Sequence, residues 1–299
     1  MRIGISRPPT PPHPIPDVDA AVVARIAEGL GFESIVYGEH PIRPVDQPGQ
    51  GVHADGIPFF QDTLIAMARI SAVTSTIKFG GGVFLIPQHN PVQFAKELAS
   101  LDFYSGGRLL VGAGIGWSQV ECELLGGHWD RRWKQTRESV QIMKRLWTQD
   151  TTTYEGDIYS VPPVQLYPKP ANPLGPPVLL GVRPSERGFA RIVDYADGWL
   201  PALVSPEDLA QGAEIIADGR RQLTELAGQA GRDPAELQIS VIVRGPQVDG
   251  DLGPARRVTR AMMSELVDAG ADRVLISLPT ISEEQDADRE LHAIAEAVL

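Results

Sequence analysis

The chain has 299 residues, 42% of them hydrophobic and 22% charged, enough apolar side chains to fill a sizeable core without staples. A formal net charge of -11, with 27 Lys and Arg scattered along the chain, argues against nucleic acid or an anionic membrane surface as a partner, and the single cysteine, Cys122, excludes an internal disulfide and a cysteine-cluster metal centre. No run approaches the ~18 apolar residues of a membrane span, and "MRIGISRPPTPPHP" lacks the apolar core of a signal peptide, so a cytoplasmic protein is expected.

Short β-branched runs alternate with longer helical patterns throughout. "RIGIS" (2–6) reads as a first strand, and residues 18–30 place Val22, Val23, Ile26, Ala27 and Leu30 at helical spacing before Gly31 closes the helix. "ESIVY" (33–37) is a second strand, followed by a Pro/Gly-rich loop over 41–58 and a helix over 60–73. Residues 78–85 form a third strand, and Pro91 opens a helix ending near 103. "GRLLVGAGIGW" (107–117) supplies a fourth strand and a glycine-rich loop; 132–147 is amphipathic, with Val140, Met143, Leu146 and Trp147 as its stripe. Residues 152–154 and 158–160 around "EGD" predict a hairpin, and 162–177 is too proline-rich for a regular element. Strand five is 178–181, with a helix over 185–196; "DGWLPAL" holds strand six, and Pro206 starts a long helix. "LQISVIV" (237–243), a helix around 257–269, "RVLISL" from 273 and a last helix from 283 complete eight strand and helix units.

Eight alternations with strands apolar on both faces predict an α/β fold: a single (β/α)8 TIM barrel spanning 1–299, with a hairpin and loop insertion at about 150–177, between the strand-four helix and strand five. An open doubly wound sheet is the alternative. In a barrel, chemistry belongs to the face at the carboxyl ends of the strands. After strand two, "YGEH" places Glu39 beside His40, a carboxylate that could orient a histidine for proton transfer; a loop histidine with no chemical role is the competing reading. "GGGVFLIP" sets Gly80, Gly81 and Gly82 before Val83, either so that a ligand can approach the main chain or because a β-bulge is needed for barrel curvature.

"GAGIGW" places Gly112, Gly114 and Gly116 in alternate positions at the strand-four end, without the spacing of a dinucleotide fingerprint but as another place where backbone could meet a ligand. "GVRPSERGFA" joins Gly181, Val182, Arg183 and Arg187 to a helix start capped by Ser185, which reads as a phosphate site; a plain capped helix with surface arginines is the competing reading. Trp129, Trp133 and Trp147 read as packing residues, His13, His53, His89 and His128 as structural, and Asp102 and Arg108 as ties between strand four and the preceding helix. No metal-ligand spacing, G-x-S-x-G elbow or Cys–His pair is present.

"NPVQFAKELASLDFYSGGRLLVGAGIGWSQVECELLG", with "YGEH", "GGGVFLIP" and "YADGWLP", resembles the bacterial luciferase-like flavin monooxygenase superfamily, above all its deazaflavin (F420)-dependent oxidoreductases. The resemblance implies a (β/α)8 barrel, usually dimeric, whose strand-three bulge carries a non-prolyl cis peptide behind the deazaflavin ring; the matching bond is Gly82–Val83. It implies that Glu39 and His40 are the acid–His pair beside the ring, with His40 handling the proton. Gly112, Ala113 and Gly114 match the strand-four contacts, and Gly181, Val182, Arg183 and Ser185 the phosphate turn, where Val182 replaces a common second glycine. Sugar-phosphate-oxidising members resemble "GTGE" where this chain has "GIGW"; Trp117 therefore argues against that activity and for a bulkier, more apolar substrate.

The expected function is an F420-dependent oxidoreductase passing a hydride between the deazaflavin C5 and a small, fairly apolar organic molecule, as a homodimer, with a flavin or F420 reductase as a possible partner. Alternatives are an FMN-dependent monooxygenase fed by a separate flavin reductase, and a non-catalytic flavin- or ligand-binding barrel. A basic rim of Arg7, Arg43, Arg183 and Arg187 would suit the polyglutamate tail of F420. A barrel lyase or aldolase on a phosphorylated substrate would need a Schiff-base lysine or a metal site at a strand end, and Lys78 begins its strand instead.

Overall fold

Alternation within the first strand sets the architecture. In β1 (Ile3–Arg7), Ile3 and Ile5 join the large outer core, whereas a Cβ on Gly4 would run into Ser34 and Leu275 on the opposite side. The same inside-and-outside division runs through β2 (Ser34–Tyr37), β3 (Lys78–Leu85), β4 (Leu109–Gly114), β5 (Val178–Leu180), β6 (Gly198–Trp199), β7 (Gln238–Val243) and β8 (Arg273–Ser277). All eight pair in parallel, each with its sequence neighbours, and the ring closes between β8 and β1. The computed structural model describes residues 1–7, 10–12, 18–42, 44, 58–59, 61–243, 258–278, 281 and 283–299.

Helices α1 (Ala20–Leu30), α2 (Thr63–Val73), α3 (Pro91–Ser105), α4 (Gln119–Leu124), α5 (Arg132–Thr148), α6 (Glu186–Tyr195), α7 (Pro206–Ala210), α8 (Gly212–Gln229), α9 (Arg260–Asp268) and α10 (Glu284–Val298) accompany the strands. Their ends follow local chemistry: Asp19 accepts from the Ala21 amide at the start of α1, Gly31 turns left-handed at its end (φ 91°), and Asn90 caps α3 just before Pro91. Apolar side chains between strands and helices form the outer core. Val36, Leu179, Leu200, Ile242 and Leu275 form a second, smaller core inside the barrel.

The expected TIM barrel is the observed fold, and its insertion lies between α5 and β5. Differences are local. The hairpin strands run Thr152–Glu155 and Ser160–Val164, so Pro162 and Pro163 sit inside a strand after all; with one neighbour in a two-stranded sheet, they need no second row of amide donors. Strand six is interrupted: β6 ends at Trp199 and pairing with β7 resumes at Ala202–Leu203, while the Leu200 amide donates to Leu180 and the Pro201 carbonyl accepts from Ile242. The single helix expected from Pro206 is α7 followed by α8, and buried Gly212 starts the second where a Cβ would lie 2.9 Å from Leu203. Helix α4 was not expected.

Arg43, His13 and His53, most of the loop expected over 41–58, and the expected helix starts at Phe60 and Arg257 lie outside the described residues. Among the described residues no helix is long and apolar enough to cross a membrane.

Candidate active site

At the carboxyl end of β3 the pairing with β4 shifts register between Gly81 and Phe84, and the Gly82–Val83 peptide is cis. The glycines of this stretch are required by the protein's own packing. A Cβ on Gly80 would strike the Leu110 carbonyl, one on Gly81 the Phe84 ring, and one on Gly82 would lie 2.7 Å from Val36 inside the barrel. The bulge reading is therefore the one the packing supports for these residues: what approaches the main chain is β4 at Gly80, the strand's own Phe84 at Gly81 and the inner core at Gly82. Val83, half-buried, turns toward the neighbouring strands, where a Cβ on Gly114 would strike it and one on Gly181 would lie 2.9 Å from it. Gly112 likewise faces the Gly81 carbonyl. Gly114 and Gly181 are thus brought against Val83, with Ala113 paired to Phe84 and Gly112 against Gly81 on the same stretch of β4.

His40 stands just beyond β2, partly buried, and both its ring nitrogens are engaged. Its Nδ1 lies 2.9 and 3.2 Å from the two carboxylate oxygens of Glu121, whose side chain is fully buried. The Trp117 indole donates to Nε2 at 3.0 Å, with the two rings tilted by 57°. Glu39, expected to orient His40, faces elsewhere. Its carboxylate accepts the Leu85 amide at 2.6 Å and pairs with His89 Nε2 at 3.0 Å, and the His89 ring stacks on Phe94 at 4.0 Å. The adjacent position 39 thus clamps the end of β3, and the acid that meets His40 comes from 81 residues further along.

Sequence reasoning missed Glu121 because its local signal is that of a helix start. Ser118 caps α4 and accepts the Glu121 amide, the S-x-x-E spacing of a capping box. Nothing local ties that acid to a histidine after β2. Gln88, in the short 3-10 turn Ile86–Gln88, is buried with both carboxamide atoms unpartnered among the described residues, close to Gly116 in its left-handed conformation (φ 73°).

The predicted phosphate turn is exposed at Arg183, Ser185 and Arg187, with Gly181 and Val182 half-buried. The Ser185 hydroxyl accepts the Gly188 amide, which leaves the first amides of α6, at Glu186 and Arg187, without an intrahelical acceptor. Arg7 is buried, its guanidinium over the Tyr37 ring and toward the Val18 carbonyl, so it contributes nothing to an exposed basic rim. Trp147 is core, donating to the Ala95 carbonyl. Trp129 and Trp133 are instead half-buried beneath Arg132 and Arg191. Arg108 ties β4 to the end of α2 through Ser71 and Thr74, beyond the tie expected to α3. Among the described residues no group of three or more His, Cys, Asp or Glu could hold a metal ion.

A closed barrel of eight parallel strands ringed by helices is the TIM-barrel architecture, whose carboxyl-end face is where enzymes of this fold carry their chemistry. The chain belongs to the luciferase-like family: the profile described as "Luciferase-like monooxygenase" matches residues 3–297. Rv0953c of Mycobacterium tuberculosis is 33% identical over 76% of this chain and 80% of its own length. An F420-dependent glucose-6-phosphate dehydrogenase of Intrasporangium calvum is 30% identical over 70% of this chain and 64% of its own length. An FMNH(2)-dependent dimethylsulfone monooxygenase of Pseudomonas fluorescens is 29% identical over 58% of this chain and 45% of its own length. The fold is shared with the monooxygenase RslO1 of Streptomyces bottropensis (TM-score 0.77, 20% identity, 99% and 98% of the two chains). It is shared too with an F420-dependent secondary alcohol dehydrogenase (TM-score 0.73, 18% identity, 99% and 98%). The family includes F420-dependent and FMN-dependent enzymes.

Proposed function

We propose that this protein is an F420-dependent oxidoreductase that transfers a hydride between the deazaflavin C5 and a small, fairly apolar organic substrate, with His40 handling the proton. The observation that carries this reading is the His40 ring at the barrel mouth, backed by buried Glu121 and contacted on its other nitrogen by Trp117. A bound deazaflavin would supply the hydride chemistry, and the protein's part is positioning and electrostatics. The donor set fits such a group: free amides at the start of α6 and the exposed Arg183 and Arg187 suit a phosphate and an acidic tail. Gly82 and Val83 would form the wall behind the ring, Gly112, Ala113 and Gly114 its strand-four side, and Gly181, Val182, Arg183 and Ser185 the phosphate turn. Ser185 acts there by ordering the helix start, since its hydroxyl already serves as the cap. Trp117 brings an apolar ring to the mouth, its one N–H directed at His40, which suits a less polar substrate than a sugar phosphate.

The same reading makes the protein a cytoplasmic homodimer whose reduced cofactor comes from a separate reductase; light scattering of the purified chain tests the dimer. The second cofactor, FMN, is favoured by the FMNH(2)-dependent relative. Titration of purified protein with each cofactor separates the two. Micromolar or tighter affinity for F420 is expected; the same affinity for FMN with none for F420 overturns the assignment.

A further inference from the structure

The groups around His40 form a chain with a direction. An indole N–H can only donate a hydrogen bond, and Trp117 Nε1 lies 3.0 Å from His40 Nε2, so that nitrogen accepts and the proton of the neutral ring sits on Nδ1. There it meets both oxygens of Glu121. Glu121 has no accessible side-chain surface, and among the described residues His40 is the only group hydrogen-bonded to its carboxylate. Leaving a buried acid with so little compensation is costly.

The cap of α4 does not explain that burial. At α7, Ser205 and Asp208 complete both halves of a capping box, the acid reaching back to the cap amide. At α4 the serine makes its half, and the Glu121 carboxylate turns away to the histidine. The acid has the sequence position of a capping residue and the contacts of a histidine orienter.

We propose that Glu121 is a positioning residue that acts through His40: it holds the ring as the Nδ1–H tautomer, so that Nε2 presents a lone pair to the ligand group that takes the place of the Trp117 indole. A group seated on that lone pair must itself donate a hydrogen bond, as a hydroxyl or N–H does. The proposal rests on the assignment of His40 as the proton-handling residue.

The test reads the tautomer directly, in cofactor-free protein carrying 15N-labelled histidine and held at a pH where imidazole is neutral, with His40 assigned by its loss in His40→Asn. In wild type, Nδ1 is expected at the protonated-type shift and Nε2 at the unprotonated-type shift. Trp117→Phe removes the indole donor, and the Nδ1–H pattern should persist because Glu121 enforces it. In the double variant Trp117→Phe/Glu121→Ala the Nδ1–H preference should weaken and the two shifts move toward each other, with circular dichroism confirming the fold. An Nε2–H pattern in wild type, averaged shifts in Trp117→Phe alone, or an unchanged pattern in a folded double variant each overturn the proposal. Trp117→Phe decides by itself should the double variant not fold. In the loaded enzyme, Glu121→Ala should lower kcat by roughly 10–100-fold with little change in KM. Failure to bind or turn over F420 would count against the proposed function, whereas the tautomer measurement needs no cofactor and decides Glu121 separately.

Discussion

Two adjacent residues after β2 divide their work. Glu39 holds the Leu85 amide and His89, and so fixes where β3 ends; His40 meets Glu121 and Trp117 at the mouth. Substitution separates the roles. His40→Ala is expected to reduce turnover by about 10²–10⁴-fold, the usual worth of a general acid or base, while cofactor affinity from a binding titration stays within a few-fold. Turnover unchanged in His40→Ala would remove the proton-handling role and favour a carrier barrel. Glu39→Ala should instead lower stability by about 1–3 kcal/mol in a denaturant titration, since it strands a buried amide donor. The pair was legible as a pair in "YGEH", but its division was not: neighbours in sequence point in different directions, and which acid faces a histidine depends on helices brought in from elsewhere.

At the scale of elements, the third strand is the informative one. Its limits, 78–85, were readable from the sequence, because strand-favouring Phe79, Val83 and Phe84 on either side of the glycines, in a run bounded by turn signals, are a local property. The partner of its glycines was not, because the Leu110 carbonyl and Val36 arrive from adjacent strands. Val83 makes this interlock testable. Gly114→Ala places a methyl against Val83 and is expected to cost about 1–3 kcal/mol by overpacking. In a Val83→Ala background the same change should cost clearly less, and additive losses in the double-mutant cycle would show that the two strands do not interlock through this contact. The hairpin illustrates the same limit: Glu138 of α5 accepts the amides of Asp157, Ile158 and Tyr159 at 3.0 Å each, a long-range clamp on a turn the sequence does show.

Across the whole molecule, the two ends of the barrel carry different duties. The end opposite the site is tied by Arg273, fully buried at the start of β8, which donates to Glu33 and to Ser240, with Lys78 also on Glu33. Burial pushes the Glu33 carboxyl up, but Arg273 and Lys78 outweigh it and hold the group down at about 2, against an ordinary 4.5. A carboxylate lowered in the folded state stabilises fully above its unfolded value, and that contribution is lost as pH falls from 4.5 through about 2. Glu33→Gln is therefore expected to lower the melting temperature at neutral pH and to flatten the acid limb of the stability curve between those values. An acid limb identical to wild type would show that this pair does not govern it. Removing the acid leaves a buried guanidinium short of its partner, a loss of about 3 kcal/mol.

By itself the sequence determined the eightfold alternation, the parallel barrel it builds, the insertion before strand five and the carboxyl-end face as the place to look for chemistry. Periodicity and turn chemistry are local, and eight strand–helix units have few ways to pack. Only the tertiary structure decided that Glu121, not Glu39, faces His40, that Trp117 occupies its other nitrogen, that the β3 glycines admit a neighbouring strand and that Arg7 turns inward. Each of these is a contact between residues far apart in the chain, set by how the barrel closes and by which side of a strand or helix a side chain leaves, and no spacing in the sequence encodes it.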